Sequence, residues 1–347
     1  MEIAAFCMTE DKTVLEAMKR IDSNAGDILY VTEGKRLLAT LSGGDIRRHL
    51  LKGGSLSDRL GDAANYSPMY VFSDEVERAE AIMQKEGFLS FPIVNKGIEI
   101  QDILFRRKQE GQKWHIGAPV VIMAGGKGTR LHPYTKVLPK PLVPIGEIPI
   151  AEHIMNRFAE FGCRKFHCIV NHKKQMIKAY FSEEAAHYDI SFYDEDEPLG
   201  TAGGLYLLKG HITETFFLSN CDSILRADYN DIHKFHKEQE NIVTMVCVYK
   251  HLTVPYGVVS MGENGGILEI QEKPEYSFLT NTGFYIAEPS VIDEIEPGIP
   301  VGFPEIVDRL REKGQKVSVY PVSEMSWLDM GEPDEMEKMI MRLGVDA

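Results

Sequence analysis

Apolar positions change their spacing repeatedly between residues 119 and 219. Short unbroken apolar runs at 119–124, 166–171, 188–193 and 215–219 read as buried strands. Between them lie segments with helical spacing, starting at 150, over 173–182 and near 201–209. Strands alternating with helices predict an α/β unit: a mostly parallel sheet with helices on both faces. Ligands of such sheets gather beyond the carboxyl ends of the strands.

The first hundred residues follow a different rhythm. Val14, Ala17, Met18 and Ile21 mark one face of a helix, and 28–31 and 37–41 are apolar runs flanking a Glu33-Gly34-Lys35 turn, with a second helix from Gly44. Val76, Ala79, Glu80 and Met83 repeat the helix, and 91–94 and 98–100 repeat the strands around Asn95-Lys96-Gly97. These two weakly similar halves predict an α+β domain over 1–108. Residues 106–115 are polar and aperiodic, so 109–117 is expected to be a linker, and 118–347 the α/β domain.

A chain of 347 residues is long enough for two domains. Its net charge of −14 argues against nucleic acid or an anionic membrane as partner. The charge is uneven, however: eight Lys and Arg stand against one acid, Glu110, between Arg106 and Lys140. A local positive field in an acidic protein suits a small polyanion. The five cysteines (7, 163, 168, 221 and 247) include no C-x-x-C pair, as expected of reduced thiols in the cytoplasm. Cys163, His167, Cys168 and His172 fall on a strand-like run whose neighbours point to opposite faces, so no zinc site is expected there. No signal peptide opens the sequence and no apolar run reaches the ~20 residues of a membrane span, so a cytoplasmic protein without a membrane partner is expected.

The densest chemistry lies in MAGGKGTRLHPYTKVLPKPLVP (123–144). A buried strand runs straight into Gly125, Gly126 and Gly128, followed by Arg130, Lys136 and Lys140. Glycines let backbone N–H groups close on an anion, arginine adds a planar fork and lysine a point charge, which together suit a polyphosphate. Generic phosphate loops do not fit. A Walker A loop fails because Val121 stands at its first glycine and Gly128 follows Lys127, and a dinucleotide fingerprint fails because Leu131 replaces its third glycine. Another apolar run, 215–219, leads to Asp222, an acid that would emerge at the same sheet edge and suit Mg²⁺ beside a triphosphate.

G-G-x-G-T-R-L followed by K-P resembles the signature of sugar-phosphate nucleotidylyltransferases, which join a nucleoside triphosphate to a sugar 1-phosphate; the likeness covers about Pro119 to Gly344. It implies a Rossmann-like nucleotidyltransferase fold with Mg²⁺ as cofactor. It implies that Ala124, Gly125, Gly126, Gly128 and Thr129 bind the nucleotide, that Arg130 holds its outer phosphates, and that Lys140 stabilises the α-phosphorus. Asp222 and the Asp329 of W-x-D-x-G would hold the metal. The segment D-E-P-L-G-T-A-G-G (196–204) would lie against the base through Glu197, Gly200 and Thr201, with Gly200, Ala202 and Gly203 leaving room for a flat ring and Asn171 facing it from the other side. Glu272 and Lys273 of E-K-P, with Asn281 and Gly283 of N-T-G, would take the sugar phosphate. A sugar 1-phosphate is already a nucleophile, so the task is to position two anions, and no Ser-His-Asp apparatus is needed. Within the family, the short 125–130 loop, the PLGTAGG form and the N-terminal repeat look most like the bacterial guanylyltransferases of surface-sugar synthesis, with GTP and glucosamine 1-phosphate as the expected substrates; mannose- and heptose-phosphate guanylyltransferases are the near alternatives, and uridylyl- and thymidylyl-transferases share most of the motifs. A catalytically silent nucleotide sensor is the rival from another class, and the intact set Arg130, Lys140, Asp222 and Asp329 speaks against it.

The N-terminal halves resemble a pair of CBS motifs, modules that regulate attached enzymes by binding adenine nucleotides. L-S-G-G-D (41–45) matches [ST]-x-x-D, so Ser42 and Asp45 would hold ribose and phosphate; in the second half Glu99 stands where Ser or Thr belongs. The resemblance implies an adenine nucleotide effector and a homo-oligomer formed through these motifs.

Overall fold

Five consecutive buried residues, Val120–Ala124, form the central strand of the computed structural model, which describes residues 3–24, 28–86, 88, 90–105, 115–184 and 188–344. The chain divides into two compact units, Met1–Gln112 and Lys113–Ala347. Most of the expected linker, 109–114, lies outside the described residues, as do Arg106, Arg107, Lys108, Glu110 and Lys113 of the cationic window.

In the first unit, helix Val14–Ser23 opens on a capping box: the Glu16 amide donates to Thr13 Oγ1 (3.1 Å) and the Thr13 amide to Glu16 Oε2 (2.8 Å). Its buried face is Val14, Ala17, Met18 and Ile21, the four positions read from the sequence. The strands Cys7–Met8, Ile28–Glu33 and Arg36–Ser42 form one sheet, the first pair parallel and the second antiparallel. Val71–Phe72, Ser90–Val94 and Ile100–Phe105 repeat that pattern around helix Val76–Glu86. The last strand starts at Ile100 and not at 98, because Ile98 adopts φ +60° in a turn closed by its own amide on the Asn95 carbonyl (2.9 Å).

In the second unit seven strands form one sheet: β1 (Val120–Ala124), β2 (Lys165–Val170), β3 (Asp189–Asp194), β4 (Phe216–Asn220), β5 (Val243–Thr253), β6 (Glu275–Ala287) and β7 (Val317–Val322). Their order is β3-β2-β1-β4-β6-β5-β7, and only β6 runs against the others. Alternate residues of β1 enter two separate cores. Val120, Ile122 and Ala124 face one that includes helices Ile150–Glu160 and Tyr229–Glu238, and Val121 and Met123 face the other, with helix Phe303–Glu312. Phe158 centres the first core, its ring within 6.4 Å of Phe166, Phe217, Tyr229 and Phe284. The helix expected near 201–209 is a 3₁₀ segment, Gly203–Leu208. Because β1 to β4 are parallel, the segments beginning at Gly125, Asn171, Glu195 and Cys221 all leave the sheet at one edge.

Beyond the sheet, β5 and β6 continue into a second hairpin, Val258–Met261 paired with Ile267–Gln271, which forms an arm.

Candidate active site

Asp222 and Asp329 meet through a short ribbon. Ser223–Leu225 pairs antiparallel with Trp327–Asp329, Ser223 opposite Asp329, and the Met330 amide donates to the Asp222 carbonyl (2.8 Å). Both acids line one cavity of about 270 Å³ together with Arg130, Thr201, Asn281 and Gly283. Burial, then the neighbouring Asp222 charge, raises the Asp329 carboxyl to about 6; the Gly331 amide, Lys140 and Arg130 oppose the rise. Among the described residues no third His, Cys, Asp or Glu joins these two carboxylates.

Lys140 forms an ion pair with Asp222, both side chains largely buried. Burial works against the ammonium charge, but the Asp222 carboxylate outweighs it and holds Lys140 above its ordinary value. Gly128 makes this approach possible. It has φ +65°, and a Cβ there would stand 3.1 Å from Lys140 Cβ and 3.0 Å from Thr135 Cγ2. Gly126 and Thr129 are exposed, and a Cβ on Gly126 would meet nothing within 4 Å, so the tip of the loop is open to a ligand.

The sugar-phosphate candidates separate. Asn281 and Gly283 reach the cavity because β6 bulges: Val246 pairs with Phe284 but Cys247 with Asn281. Gly283 packs so closely on cavity-lining Asn220 that a Cβ would lie 2.2 Å from Asn220 Nδ2. Glu272 and Lys273 are not brought to the cavity. The pairing of 250–253 with 275–278 keeps the chain extended, so both stay exposed on the arm.

The 196–204 segment also needs correction. Gly200 and Gly203 do not leave space for a base. A Cβ on Gly200 would meet the Val301 carbonyl at 2.6 Å and one on Gly203 the Ile299 carbonyl at 2.8 Å, so their smallness admits the neighbouring chain. Three hydrogen bonds fix this docking: Val301 amide to Leu199 carbonyl (3.0 Å), Ala202 amide to Val301 carbonyl (3.0 Å) and Phe303 amide to Thr201 Oγ1 (3.1 Å). Glu197 is exposed; the buried acid is Glu195, two residues earlier. Its carboxylate lies where Cβ atoms on Gly125 and Gly204 would stand, 2.6 and 2.3 Å away, and burial pushes it up to about 7. Glu195 Oε1 is buried with no hydrogen-bond partner among the described residues. Asn171 lies against the same place, its Nδ2 donating to the Glu195 carbonyl (3.0 Å). The spacing E-x-x-P-L-G could have singled out Glu195.

Lys173 joins the site from outside the motifs. Its Nζ donates to the carbonyls of Thr135 (3.1 Å), Lys136 (2.7 Å) and Val137 (2.9 Å), tying the end of the short helix Tyr134–Val137 to the segment after β2. No periodicity marks a residue with φ +53° in a loop.

Elsewhere, an opening of about 440 Å³ beside helix Tyr229–Glu238 is lined by His115, Asp228, His233 and Lys234 and holds none of the predicted residues. In the N-terminal unit, Ser42 and Asp45 close a capping box on helix Gly43–Leu51: the Ser42 amide and Oγ both donate to Asp45 Oδ2 (2.8 and 2.6 Å), and Arg48 pairs with the same carboxylate. No helix among the described residues is long and apolar enough to cross a membrane.

Residues 119–344 match the family model described as nucleotidyl transferase. The chain is 34% identical over 227 residues to the mannose-1-phosphate guanylyltransferase catalytic subunit beta of Drosophila melanogaster, covering 63% of this chain and 61% of that one. It is 33% identical over 240 residues to the UTP–glucose-1-phosphate uridylyltransferase of Synechocystis, covering 62% and 60%. The chain thus spans about three fifths of these relatives. HddC from Yersinia pseudotuberculosis shares the fold, with a TM-score of 0.52 at 23% identity over 65% of this chain and 99% of that one. The chain belongs to the nucleotidyl transferase family.

Proposed function

We propose that this chain transfers a nucleotidyl group from a nucleoside triphosphate to a sugar 1-phosphate, releasing pyrophosphate. The observation that carries the reading is the shared cavity: Arg130, Asp222 and Asp329 line it, and Lys140 is paired to Asp222 at its wall. A buried and a half-buried carboxylate side by side suit a hard divalent cation that completes its shell with phosphate and water, so Asp222 and Asp329 would hold Mg²⁺. When bound, Mg²⁺ would neutralise charge on the triphosphate oxygens and the departing pyrophosphate. The open 125–130 loop offers backbone N–H groups and Arg130 to the β- and γ-phosphates. Lys140 exchanges Asp222 for the α-phosphate and steadies charge at the reacting phosphorus. Asn281 and Gly283 border the sugar.

The nucleotide proposed is GTP. Glu195 presents a buried oxygen without a partner among the described residues beside the glycine loop, and guanine carries two adjacent donors, N1–H and N2–H, that a carboxylate accepts. Uracil and thymine carry one donor between two acceptors. For the sugar we propose glucosamine 1-phosphate, because the loop, the PLGTAGG form and the N-terminal repeat most resemble the glucosamine-1-phosphate guanylyltransferase of legionaminic acid synthesis. The mannose- and glucose-phosphate relatives mark the alternatives. The N-terminal unit is proposed as a CBS pair that takes an adenine nucleotide and joins protomers. Its two β-α-β-β repeats support this reading, while the Ser42–Asp45 capping box needs no ligand to hold it.

Pyrophosphate release measured for GTP, ATP, UTP and dTTP with several sugar 1-phosphates and Mg²⁺ tests the reading. Turnover with GTP and a hexosamine or hexose 1-phosphate is expected. Turnover only with UTP or dTTP overturns the guanylyl assignment, and none with any pair overturns the transferase.

A further inference from the structure

The cavity that holds Asp222 and Asp329 lies to one side of the glycine loop. The sheet order sets β1, which runs into that loop, between β2 and β4. Asn171 and Glu195 follow β2 and β3 on one side, whereas Leu218 and Asn220 of β4 and Asn281, Gly283 and Tyr285 of β6 wall the cavity on the other. A nucleotide with its phosphates on the loop and its base at Glu195 leaves this cavity to the sugar. Away from Arg130 and the two acids, most polar side chains that line it are committed within the protein. Asn281 uses both ends of its amide: Oδ1 accepts the Gly283 amide (3.0 Å) and Nδ2 donates to the buried Tyr285 hydroxyl (2.5 Å). Thr282 Oγ1 donates to the Val246 carbonyl (2.7 Å) and accepts the Phe284 amide (3.2 Å). Ser223 Oγ donates to the Thr282 carbonyl (3.4 Å), and Thr201 Oγ1 accepts the Phe303 amide (3.1 Å). Trp327 Nε1 has no partner among the described residues, but it is buried. Asn220 differs. It is half-buried, shares its face of β4 with cavity-lining Leu218, and hydrogen-bonds through its side chain to no described residue. Gly283, at φ +75°, packs against this amide and sets its position.

We propose that Asn220 is the specificity-determining residue for the sugar: its amide meets a ring hydroxyl of the sugar 1-phosphate, while Asn281 shapes the wall. The inference rests on the transferase reading of the same cavity. An amide presents a donor and an acceptor side by side, the complement of a hydroxyl, which is both at once. Asn281 has spent both of these on Gly283 and Tyr285, and Asn220 has spent neither. A sugar lacking that hydroxyl leaves the amide desolvated and unpaired, which discriminates more strongly than a missing methylene does. The chain therefore selects its sugar by a hydroxyl, through a residue only two positions before Asp222.

Calorimetric titration of the full chain tests this, with Mg²⁺ and the α,β-methylene analogue of GTP or UTP, whichever the chain binds. The titrants are the 1-phosphates of glucosamine, mannose and glucose, followed by the monodeoxy analogues of the tightest binder. In the wild type, one monodeoxy analogue is expected to bind about tenfold or more weakly than its parent. Asn220→Leu and the smaller Asn220→Ser should bind the parent about tenfold or more weakly, bind that deoxy analogue as the wild type does, and keep their affinity for the nucleotide analogue. Parent affinity unchanged in the variants overturns the proposal, as does an equal loss of nucleotide and sugar, or no sugar 1-phosphate binding at all. The wild type decides without any variant: if every monodeoxy analogue binds as the parent does, the proposal is overturned. These affinities are read without turnover, so a failure of pyrophosphate release overturns the transferase reading separately.

Discussion

Ser223 stands directly opposite Asp329 in a ribbon only three residues long, and that pairing sets Asp222 beside Asp329 across 107 positions of sequence. The two carboxylates lie close enough for the Asp222 charge to help hold the Asp329 carboxyl at about 6. Asp222→Asn removes that charge and leaves the burial. The Asp329 carboxyl of the variant should therefore titrate below its wild-type value yet above the ordinary carboxylate range. A carboxyl-carbon NMR titration measures this, and an unchanged midpoint would contradict the pairing.

Glu195 gives a pH dependence with a definite sign. Burial raises its carboxyl to about 7 in the folded chain, against an ordinary value of 4.5. The folded state thus holds this proton more tightly than the unfolded one, so stability is greatest below pH 4.5 and declines as pH rises through 7. Glu195→Gln abolishes the decline. Relative to wild type, the variant should gain on the order of 2 kcal/mol between pH 5 and 8, read by urea unfolding at each pH. The same variant should lose preference for GTP over UTP, because its amide offers a donor where guanine needs two acceptors.

Two glycines in the motifs should respond differently, one in stability and the other in nucleotide binding. A Cβ on Gly204 would sit 2.3 Å from Glu195 Oε1 and 2.7 Å from Ile169 Cγ2, inside a packed core, so Gly204→Ala should destabilise by about 1–3 kcal/mol. Gly126 faces open space, and Gly126→Ala should change stability by no more than about 0.5 kcal/mol while raising the KM for the nucleotide. Denaturant unfolding separates them.

Lys173 positions the cationic loop without lining the cavity. Lys173→Met keeps the aliphatic stem and leaves three carbonyls without their ammonium. The expected result is a fall of about tenfold in kcat/KM with the unfolding midpoint almost unchanged, together with faster proteolysis within 125–140. Lys173→Arg should recover part of the loss.

Much of this was legible because the sheet imposes its own pattern. The runs at 119–124, 166–171 and 215–219 became β1, β2 and β4 within a residue at each end, since buried parallel strands need unbroken apolar sequence. Asp222, Arg130 and the glycine loop could be placed at one edge because they follow such strands. Asp329 could be placed only by family resemblance, as no local spacing encodes a ribbon between distant segments. Glu195 and Glu197 are alike in sequence as acids before P-L-G, and only the surroundings distinguish the buried one from the exposed one. The sequence suggests room for a ligand at Gly200 and Gly203, but residues 299–301 fill it. Glu272 and Lys273 sit on an arm whose course depends on strand pairing at a distance.

Lys140, held ready by Asp222, is proposed to act on the phosphate at the reacting centre. Steady-state pyrophosphate release from GTP and a sugar 1-phosphate by wild type and Lys140→Ala measures it most directly. A loss of on the order of 3 kcal/mol of transition-state stabilisation, a hundredfold or greater fall in kcat with the fold intact, is the predicted result. Turnover by Lys140→Ala close to that of the wild type would contradict it.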